Sequence, residues 1–249
     1  MIARPRRRGL SLDVATRLLV SVVSETEVEA ALRGGADVVD VKDPAEGSLG
    51  APRPALLRRV RARVVPPVEL SAALGDAPHL PGTLALAAAG AAACGADYVK
   101  LGLLGSARPA QALELLRAVV RAAAEARPGT RVVAVAYADA ERVGALPPRE
   151  LPAVARDAGV PWVMLDTAFK DGPSSFGALG EAALAEFFAA ARRLGLATAL
   201  AGALGPADLP RARQLGVDLV GVRGAACDGG RGGCVSAERV RALRAALGG

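Results

Sequence analysis

The sequence is poor in aromatic side chains, which make up 3% of its 249 residues. Hydrophobic residues still account for 52%, so the chain is not intrinsically disordered and its core must be built from Ala, Leu and Val. The most apolar run, residues 80–94, is interrupted by Pro81 and Gly82 and is too short to cross a bilayer. The basic N-terminus is not followed by the apolar core of a signal peptide. These absences predict a cytoplasmic globular protein without membrane contact.

Cysteine and histidine are also scarce. The three cysteines, Cys94, Cys227 and Cys234, are too few for a disulfide framework and suit a reducing compartment. The single histidine, His79, cannot form a multi-histidine metal site, and no cluster of Cys and His stands near it. A Ser–His–Asp triad would need His79, yet no Gly-x-Ser-x-Gly turn accompanies it. We therefore predict no metal site and no hydrolase triad.

The formal net charge of +6 raises nucleic acid as a partner. The positive charge is spread along the chain, however, and no segment mixes basic with aromatic residues. Five of the first seventeen residues are Arg, so much of the excess lies at the N-terminus. We expect residues 1–16 to form a basic arm, and we do not expect nucleic acid to be the main partner.

Lysine is rare in this chain compared with arginine. Of 31 basic residues only Lys42, Lys100 and Lys170 are lysines, which indicates a coding bias that replaces ordinary surface lysines by arginine. A guanidinium stays protonated, whereas a lysine amine can lose its proton and attack a carbonyl carbon. The remaining lysines are therefore candidates for chemistry that arginine cannot perform.

Eight short apolar runs alternate with segments of helical character. The predicted strands cover residues 18–24, 36–43, 67–74, 96–103, 131–139, 161–167, 197–204 and 217–224. The predicted helices cover residues 25–33, 53–64, 82–94, 110–126, 148–158, 182–194, 207–215 and 237–247. Ser24 and Glu27 have the spacing of a capping box at the first helix. Eight such units without a linker predict an α/β fold, a single-domain (β/α)8 TIM barrel over residues 17–249. A doubly wound open sheet is the alternative, but no strand leads into a Gly-x-Gly-x-x-Gly turn.

The three lysines all fall toward the carboxyl ends of predicted strands, where barrel enzymes place their active sites. Asp40 and Lys42 are two residues apart on one strand and point the same way, and Asp166 ends the strand before Lys170. Lysines that neighbour one another and are partly buried have lowered pKa values and can form Schiff bases. The carboxylates could orient the amines or move protons. The alternative is a set of buried ion pairs without a catalytic role.

Further polar residues are expected at the same end of the barrel. They include Glu69 and Tyr137, together with the candidate substrate- and phosphate-binding residues Ser71, Asp139, Gly202, Arg223 and Gly224. The glycine-containing stretches 201–203 and 221–225 follow the last two strands, where barrels often bind phosphate through backbone amides. The glycine-rich segment 228–233 is expected to be a flexible loop, with a substrate lid as the alternative.

Several motifs then point to one family. They are GADVVDVKDP at 35–44, EGSLG at 46–50, GADYVKLG at 95–102, MLDTA at 164–168, KDG at 170–172 and VGVRGAAC at 220–227. In this order and over roughly residues 18–228, the chain resembles the (5-formylfuran-3-yl)methyl phosphate synthases, also called 4-(hydroxymethyl)-2-furancarboxaldehyde-phosphate synthases.

The resemblance implies a barrel enzyme that condenses two molecules of glyceraldehyde 3-phosphate into a phosphorylated furan aldehyde for methanofuran-type coenzymes. The family's Schiff-base lysine falls on Lys42 and its proton-accepting lysine on Lys100. Its other site residues match Asp40, Asp166 and Lys170. The resemblance implies triose phosphates as substrates and neither a metal nor an organic cofactor.

Two other functions remain open at the level of sequence. Another Schiff-base aldolase acting on phosphorylated sugars would share the lysines but would not form an aromatic ring. A barrel without catalytic activity could instead use its positive charge to bind nucleic acid. The alanine-rich segment 82–94 could pack within one chain or between the chains of a homo-oligomer.

Overall fold

The computed structural model describes residues 15–76 and 78–248 of the protein. Its eight parallel strands close into one barrel. The strands are β1 (Arg17–Val22), β2 (Val38–Val41), β3 (Glu69–Ala73), β4 (Tyr98–Gly102), β5 (Arg131–Tyr137), β6 (Trp162–Asp166), β7 (Ala197–Leu200) and β8 (Leu219–Val222). Because β1 pairs with both β2 and β8, the sheet has no free edge, and the open-sheet alternative is excluded.

Helices surround the barrel. They are α1 (Val28–Arg33), α2 (Pro54–Arg61), α3 (Pro81–Ala93), α4 (Pro109–Ala126), α5 (Ala140–Val143), α6 (Leu151–Ala158), α7 (Ser175–Leu179), α8 (Glu181–Arg193), α9 (Asp208–Gln214) and α10 (Ala237–Ala246). The predicted single-domain (β/α)8 barrel is confirmed. The predicted basic arm of residues 1–16 lies outside the described residues except for its last two positions.

The predicted strands and helices are all present, and the structure adds short elements that the sequence pattern did not reveal. The helices α5 and α7 lie in loops after β5 and β6. Two further strands, β9 (Cys227–Asp228) and β10 (Cys234–Val235), pair antiparallel at the two ends of the segment 228–233 expected to be a loop and make a small hairpin of it. Each of these elements is at most five residues long, too short for hydrophobic periodicity to indicate it.

The core has two layers on either side of the sheet. The larger layer lies between the strands and the helices and consists mostly of Ala, Leu and Val. The smaller layer fills the barrel interior, where Tyr98 packs edge-to-face on Trp162 with ring centroids 5.6 Å apart. Strands buried on both faces explain why the sequence shows continuous apolar runs rather than alternation.

A polar network closes the amino-terminal end of the barrel. Glu69, the first residue of β3, accepts hydrogen bonds from Arg17 at 2.5 Å, from the hydroxyl of Tyr98 at 3.0 Å and from Arg131. The expected position of Glu69 at the carboxyl ends of the strands is wrong, because β3 begins at this residue. Burial raises the pKa of Glu69, but the hydrogen bonds from Arg131 and Arg17 outweigh it and hold that pKa below its ordinary value of 4.5.

Glu69→Gln should lower the free energy of unfolding by about 1–3 kcal/mol at neutral pH, since two guanidinium groups lose a charged acceptor. A carboxylate with a lowered pKa stabilises the fold above its ordinary value of 4.5, and this stabilisation is lost as the pH falls further. The difference between variant and parent should therefore shrink in acid. Urea unfolding at neutral and acid pH measures it, with the exposed Glu29→Gln as control. A difference that does not change with pH would contradict the prediction.

Candidate active site

A cavity of about 320 Å³ opens at the carboxyl ends of the strands. Lys42 directly after β2, Lys100 from β4 and Asp166 from β6 line it, together with Lys170 from the loop after β6. The loops that follow β7 and β8 form the opposite wall. The three lysines of the sequence thus meet in one cavity, although 58 and 70 positions separate them along the chain (100 − 42 and 170 − 100).

Lys100 and Asp40 form a buried ion pair beneath this cavity. The Lys100 Nζ donates to Asp40 Oδ2 at 2.8 Å, and the Ser21 hydroxyl donates to the same oxygen at 2.9 Å. Within the described residues, Asp40 Oδ1 and the hydroxyl of Ser71 have no hydrogen-bond partner, although Asp40 and Ser71 are direct neighbours on β2 and β3. One carboxylate oxygen of the pair therefore accepts no hydrogen bond from any described residue.

Lys170 and Asp166 form a second ion pair at the side of the cavity. The Lys170 Nζ donates to Asp166 Oδ1 and, at 2.6 Å, to the carbonyl oxygen of Thr167. Burial raises the pKa of Asp166, but the charges of Lys170 and Lys42 and the N–H of Thr167 hold it below its usual range. Asp166 is consequently a carboxylate at neutral pH and is oriented by its own chain neighbours.

Lys42 lies between these two pairs. Its side chain is buried, with 5% of its surface exposed, and its amine makes no hydrogen bond to any residue in the described ranges. Burial lowers its pKa to about 7, with Asp166 opposing the shift and Lys100 adding to it. At neutral pH a large share of the Lys42 amines is uncharged, which is the form that attacks a carbonyl carbon.

The other predicted site residues fall in different surroundings. Gly202 and Gly224 line the cavity wall, and Gly202 has φ +98°, where a β-carbon would collide with Ser175 and Thr167. Ser71 lies below the cavity floor and is fully buried. Asp139 does not line the cavity. Its carboxylate accepts the N–H groups of Ala168 at 2.7 Å and Phe169 at 3.0 Å, and so holds the loop that carries Lys170.

Arg223 reaches the cavity wall but is bound to another residue. Its guanidinium pairs with Glu27 at 3.1 Å and donates to the carbonyl oxygens of Ser21 and Gly233. Both members of the pair are almost fully buried. The capping box expected for Ser24 and Glu27 is not formed, because the Glu27 carboxylate turns inward to this arginine.

Two residues near the site were not among the predicted site residues. Asp76 accepts the hydroxyl of Tyr137 and the N–H of Leu49, and burial together with the nearby Asp166 raises its pKa. Arg231, in the hairpin between β9 and β10, lines the cavity, and its side chain has no hydrogen bond or ion pair with any described residue. The glycine-rich segment around Arg231 was the only signal in the sequence that pointed to it.

Within 15–76 and 78–248, no group of three or more His, Cys, Asp or Glu side chains is arranged to hold a metal ion. None of the helices in this part of the chain is long and apolar enough to span a membrane. A larger groove of about 1150 Å³ lies beside the barrel, between the α5–α6 and α7–α8 segments, and contains none of the three lysines.

Comparison with known proteins places this arrangement. The 3-hexulose-6-phosphate synthase of Salmonella typhimurium has a similar fold, with a TM-score of 0.65, 18% identity and coverage of 93% of this chain and 98% of that one. The fold and cavity define a (β/α)8-barrel protein with a lysine-rich pocket at the carboxyl ends of its strands.

Sequence comparison is more specific. The 4-HFC-P synthase family matches residues 18–244, and the chain belongs to this family. The (5-formylfuran-3-yl)methyl phosphate synthase of Methanocaldococcus jannaschii is 47% identical over 229 residues, 91% of this chain and 97% of the relative. That of Methanopyrus kandleri is 48% identical over 233 residues, 93% of this chain and 98% of the relative.

The lowered pKa of Lys42 predicts how fast its amine reacts at each pH. Reductive methylation by formaldehyde and cyanoborohydride should label the Lys42 peptide with a midpoint near pH 7, the pKa of its amine. Asp166→Asn should move this midpoint down, because the carboxylate stabilises the charged amine. Mass spectrometry of only three lysine sites gives the rates directly. The exposed Glu29→Gln is the matched control, and a Lys42 midpoint near 10.5 would contradict the assignment.

Proposed function

We propose that the protein condenses two molecules of glyceraldehyde 3-phosphate into (5-formylfuran-3-yl)methyl phosphate through a Schiff base on Lys42. The main support is the buried Lys42 amine, whose pKa is about 7, between two ion pairs of lysine and carboxylate. The names of the relatives supply the identity of the product. The family resemblance further implies that this furan becomes the core of methanofuran-type carriers.

The first chemical step uses the uncharged amine. The Lys42 nitrogen adds to a substrate carbonyl carbon, and loss of water gives an iminium ion. This cation withdraws electrons from the adjacent carbon, so a proton can leave that carbon and a nucleophilic enamine results. Loss of water from the initial addition product, the carbinolamine, needs an acid, and removal of the proton from carbon needs a base. The two ion pairs provide both kinds of group.

The two ion pairs differ in exposure, and we assign them different tasks. Lys170 is 13% exposed at the side of the cavity, whereas Lys100 is 3% exposed on its floor. Asp166 and Lys170 would isomerise one triose phosphate by moving a proton between adjacent carbons. Lys42, Asp40 and Lys100 would then serve the condensation, with Lys100 carrying protons.

The overall stoichiometry requires two kinds of leaving group. The two triose phosphates together contain one phosphoric acid and two waters more than the furan product. After the carbon–carbon bond forms, one phosphate and two waters must leave, and no oxidant or reductant is needed. Each elimination removes a proton from carbon and donates one to the leaving oxygen, so acid and base groups act in turn on one bound intermediate.

Incubation with glyceraldehyde 3-phosphate is the first test. We expect ultraviolet absorption from a furan aldehyde together with release of inorganic phosphate. Borohydride should trap the imine and add mass to the Lys42 peptide. Lys42→Arg should abolish both the labelling and the turnover in a folded protein, because a guanidinium keeps its proton.

The alternatives give different outcomes in this assay. Trapping at Lys42 without furan or phosphate would indicate an aldolase instead. Near-normal turnover by Lys42→Arg would overturn the assignment of the nucleophile. Salt-sensitive binding of nucleic acid without any turnover would favour a barrel that only binds.

Asp166→Asn tests the division of tasks. Loss of a general base typically costs about 10²–10⁴-fold in rate, so turnover of glyceraldehyde 3-phosphate should fall by such a factor. Supplying dihydroxyacetone phosphate together with glyceraldehyde 3-phosphate bypasses the isomerisation and should restore much of the rate. No rescue, in a folded variant that still forms the Lys42 imine, would refute the division.

A further inference from the structure

We propose that Arg231 binds the phosphate group of the substrate that reacts with Lys42, while Arg223 serves as a positioning residue for the hairpin that carries Arg231. The inference rests on the proposed function for the identity of the ligand as a phosphorylated aldehyde. Its structural basis is separate from the lysine chemistry.

Most of the cations that line the cavity are already paired with carboxylates. Lys100 is paired with Asp40, Lys170 with Asp166, and Arg223 with Glu27. Among the cations that line the cavity, and within the described residues, Lys42 and Arg231 are the ones without a carboxylate partner. Lys42 is the group that loses its proton. A dianionic phosphate entering the cavity therefore finds one unpaired permanent cation, the guanidinium of Arg231.

The buried ion pair of Arg223 and Glu27 attaches the hairpin to the barrel. The Glu27 carboxylate accepts the N–H of Val235 at 3.3 Å, and Arg223 donates to the carbonyl oxygen of Gly233 at 3.2 Å. The N–H of Ser236 is bonded to the carbonyl oxygen of Ala226 at 2.9 Å. The buried ion pair of Arg223 and Glu27 thus connects the barrel wall to the second strand of the hairpin, β10. Arg223, expected to bind phosphate itself, instead fixes the loop from which Arg231 extends.

The hairpin holds Arg231 against the loop that follows β8. A β-carbon built on Gly224 would lie 3.6 Å from the backbone nitrogen of Arg231, so the hairpin folds directly over the loop that follows β8. The turn uses Gly229 and Gly230 at φ +81° and +75°, which residues with side chains rarely adopt. Arg231 consequently lies beside Gly224, and both residues line the cavity together with Gly202.

A guanidinium suits this position better than an ammonium. It offers a planar fork of N–H donors that matches two phosphate oxygens, and it keeps its charge when partly buried. Burial lowers the pKa of Arg231 while Asp166 opposes that shift. A charged group held partly out of water without a partner gains from a bound anion.

The test compares a phosphorylated aldehyde with an unphosphorylated one. Borohydride trapping at Lys42 is measured against the concentration of glyceraldehyde 3-phosphate and, separately, of glyceraldehyde. Arg231→Ala should raise the half-saturating concentration of glyceraldehyde 3-phosphate about 10–100-fold, as expected for a lost charged hydrogen bond. Trapping of glyceraldehyde should stay unchanged. Arg231→Lys should recover part of the loss, since it keeps the charge but not the fork.

A second measurement does not depend on the lysine chemistry. Inorganic phosphate should raise the unfolding temperature of the parent protein, and Arg231→Ala should remove most of that rise. Arg33→Ala is the control. It removes the same charge, and Arg33 is exposed at the end of α1. It should behave like the parent in both measurements.

The outcomes separate this inference from the proposed function. Unchanged half-saturation in a folded Arg231→Ala protein would overturn it. Equal loss of trapping for both aldehydes would also overturn it, because the arginine would then act on the imine and not on the phosphate. A parent protein that makes no furan but still distinguishes the two aldehydes through Arg231 would refute the proposed reaction and leave the phosphate site in place.

Discussion

The site depends on the burial of the Lys42 amine, which has no hydrogen-bond partner among the residues that the structure describes. Transfer of a lysine ammonium out of water is unfavourable, and the protein responds by lowering the pKa of Lys42 to about 7 rather than by pairing the charge. The neighbouring carboxylate of Asp166 limits this shift, while Lys100 extends it. If a carboxylate bonded directly to Lys42, the amine would stay protonated and would lose its nucleophilic form. The absence of a direct partner is therefore as important as the presence of the two nearby ion pairs.

The lowered pKa of Lys42 destabilises the folded protein, and the direction of the shift shows in which pH range it does so. The folded protein binds a proton at Lys42 less tightly than the unfolded chain, where the ordinary value is 10.5. Between about pH 7 and pH 10.5 the unfolded chain binds more protons at Lys42 than the folded protein does. The destabilisation by Lys42 is therefore largest at the lower end of this range and decreases as the pH rises. The packing of the closed barrel offsets this destabilisation.

The sequence predicted the eight strands, the closed barrel and the meeting of three lysines, because each rests on a local pattern combined with one rule of topology. It could not predict pairings between distant residues. Glu27 lies 196 positions from Arg223, and local spacing favoured a helix cap for it. Glu69 was expected at the carboxyl ends of the strands, but it is the first residue of β3 and pairs with Arg17, 52 positions away, at the opposite end of the barrel. Asp139 was expected at the substrate, but it organises the β6 loop through backbone N–H groups that no side-chain pattern reveals.

The division between lysine and arginine in this chain follows from what each position requires. Arg17, Arg131 and Arg223 are fixed in networks where a planar, permanently charged group with several donors is an advantage. At Lys42 a permanent charge would prevent attack on a carbonyl. At Lys100 and Lys170 the compact ammonium donates to a single carboxylate oxygen in each ion pair. The proposed reaction would need proton loss at Lys42 and proton transfer at the other two lysines. That need would explain why a composition that favours arginine almost everywhere retains lysine at these three places.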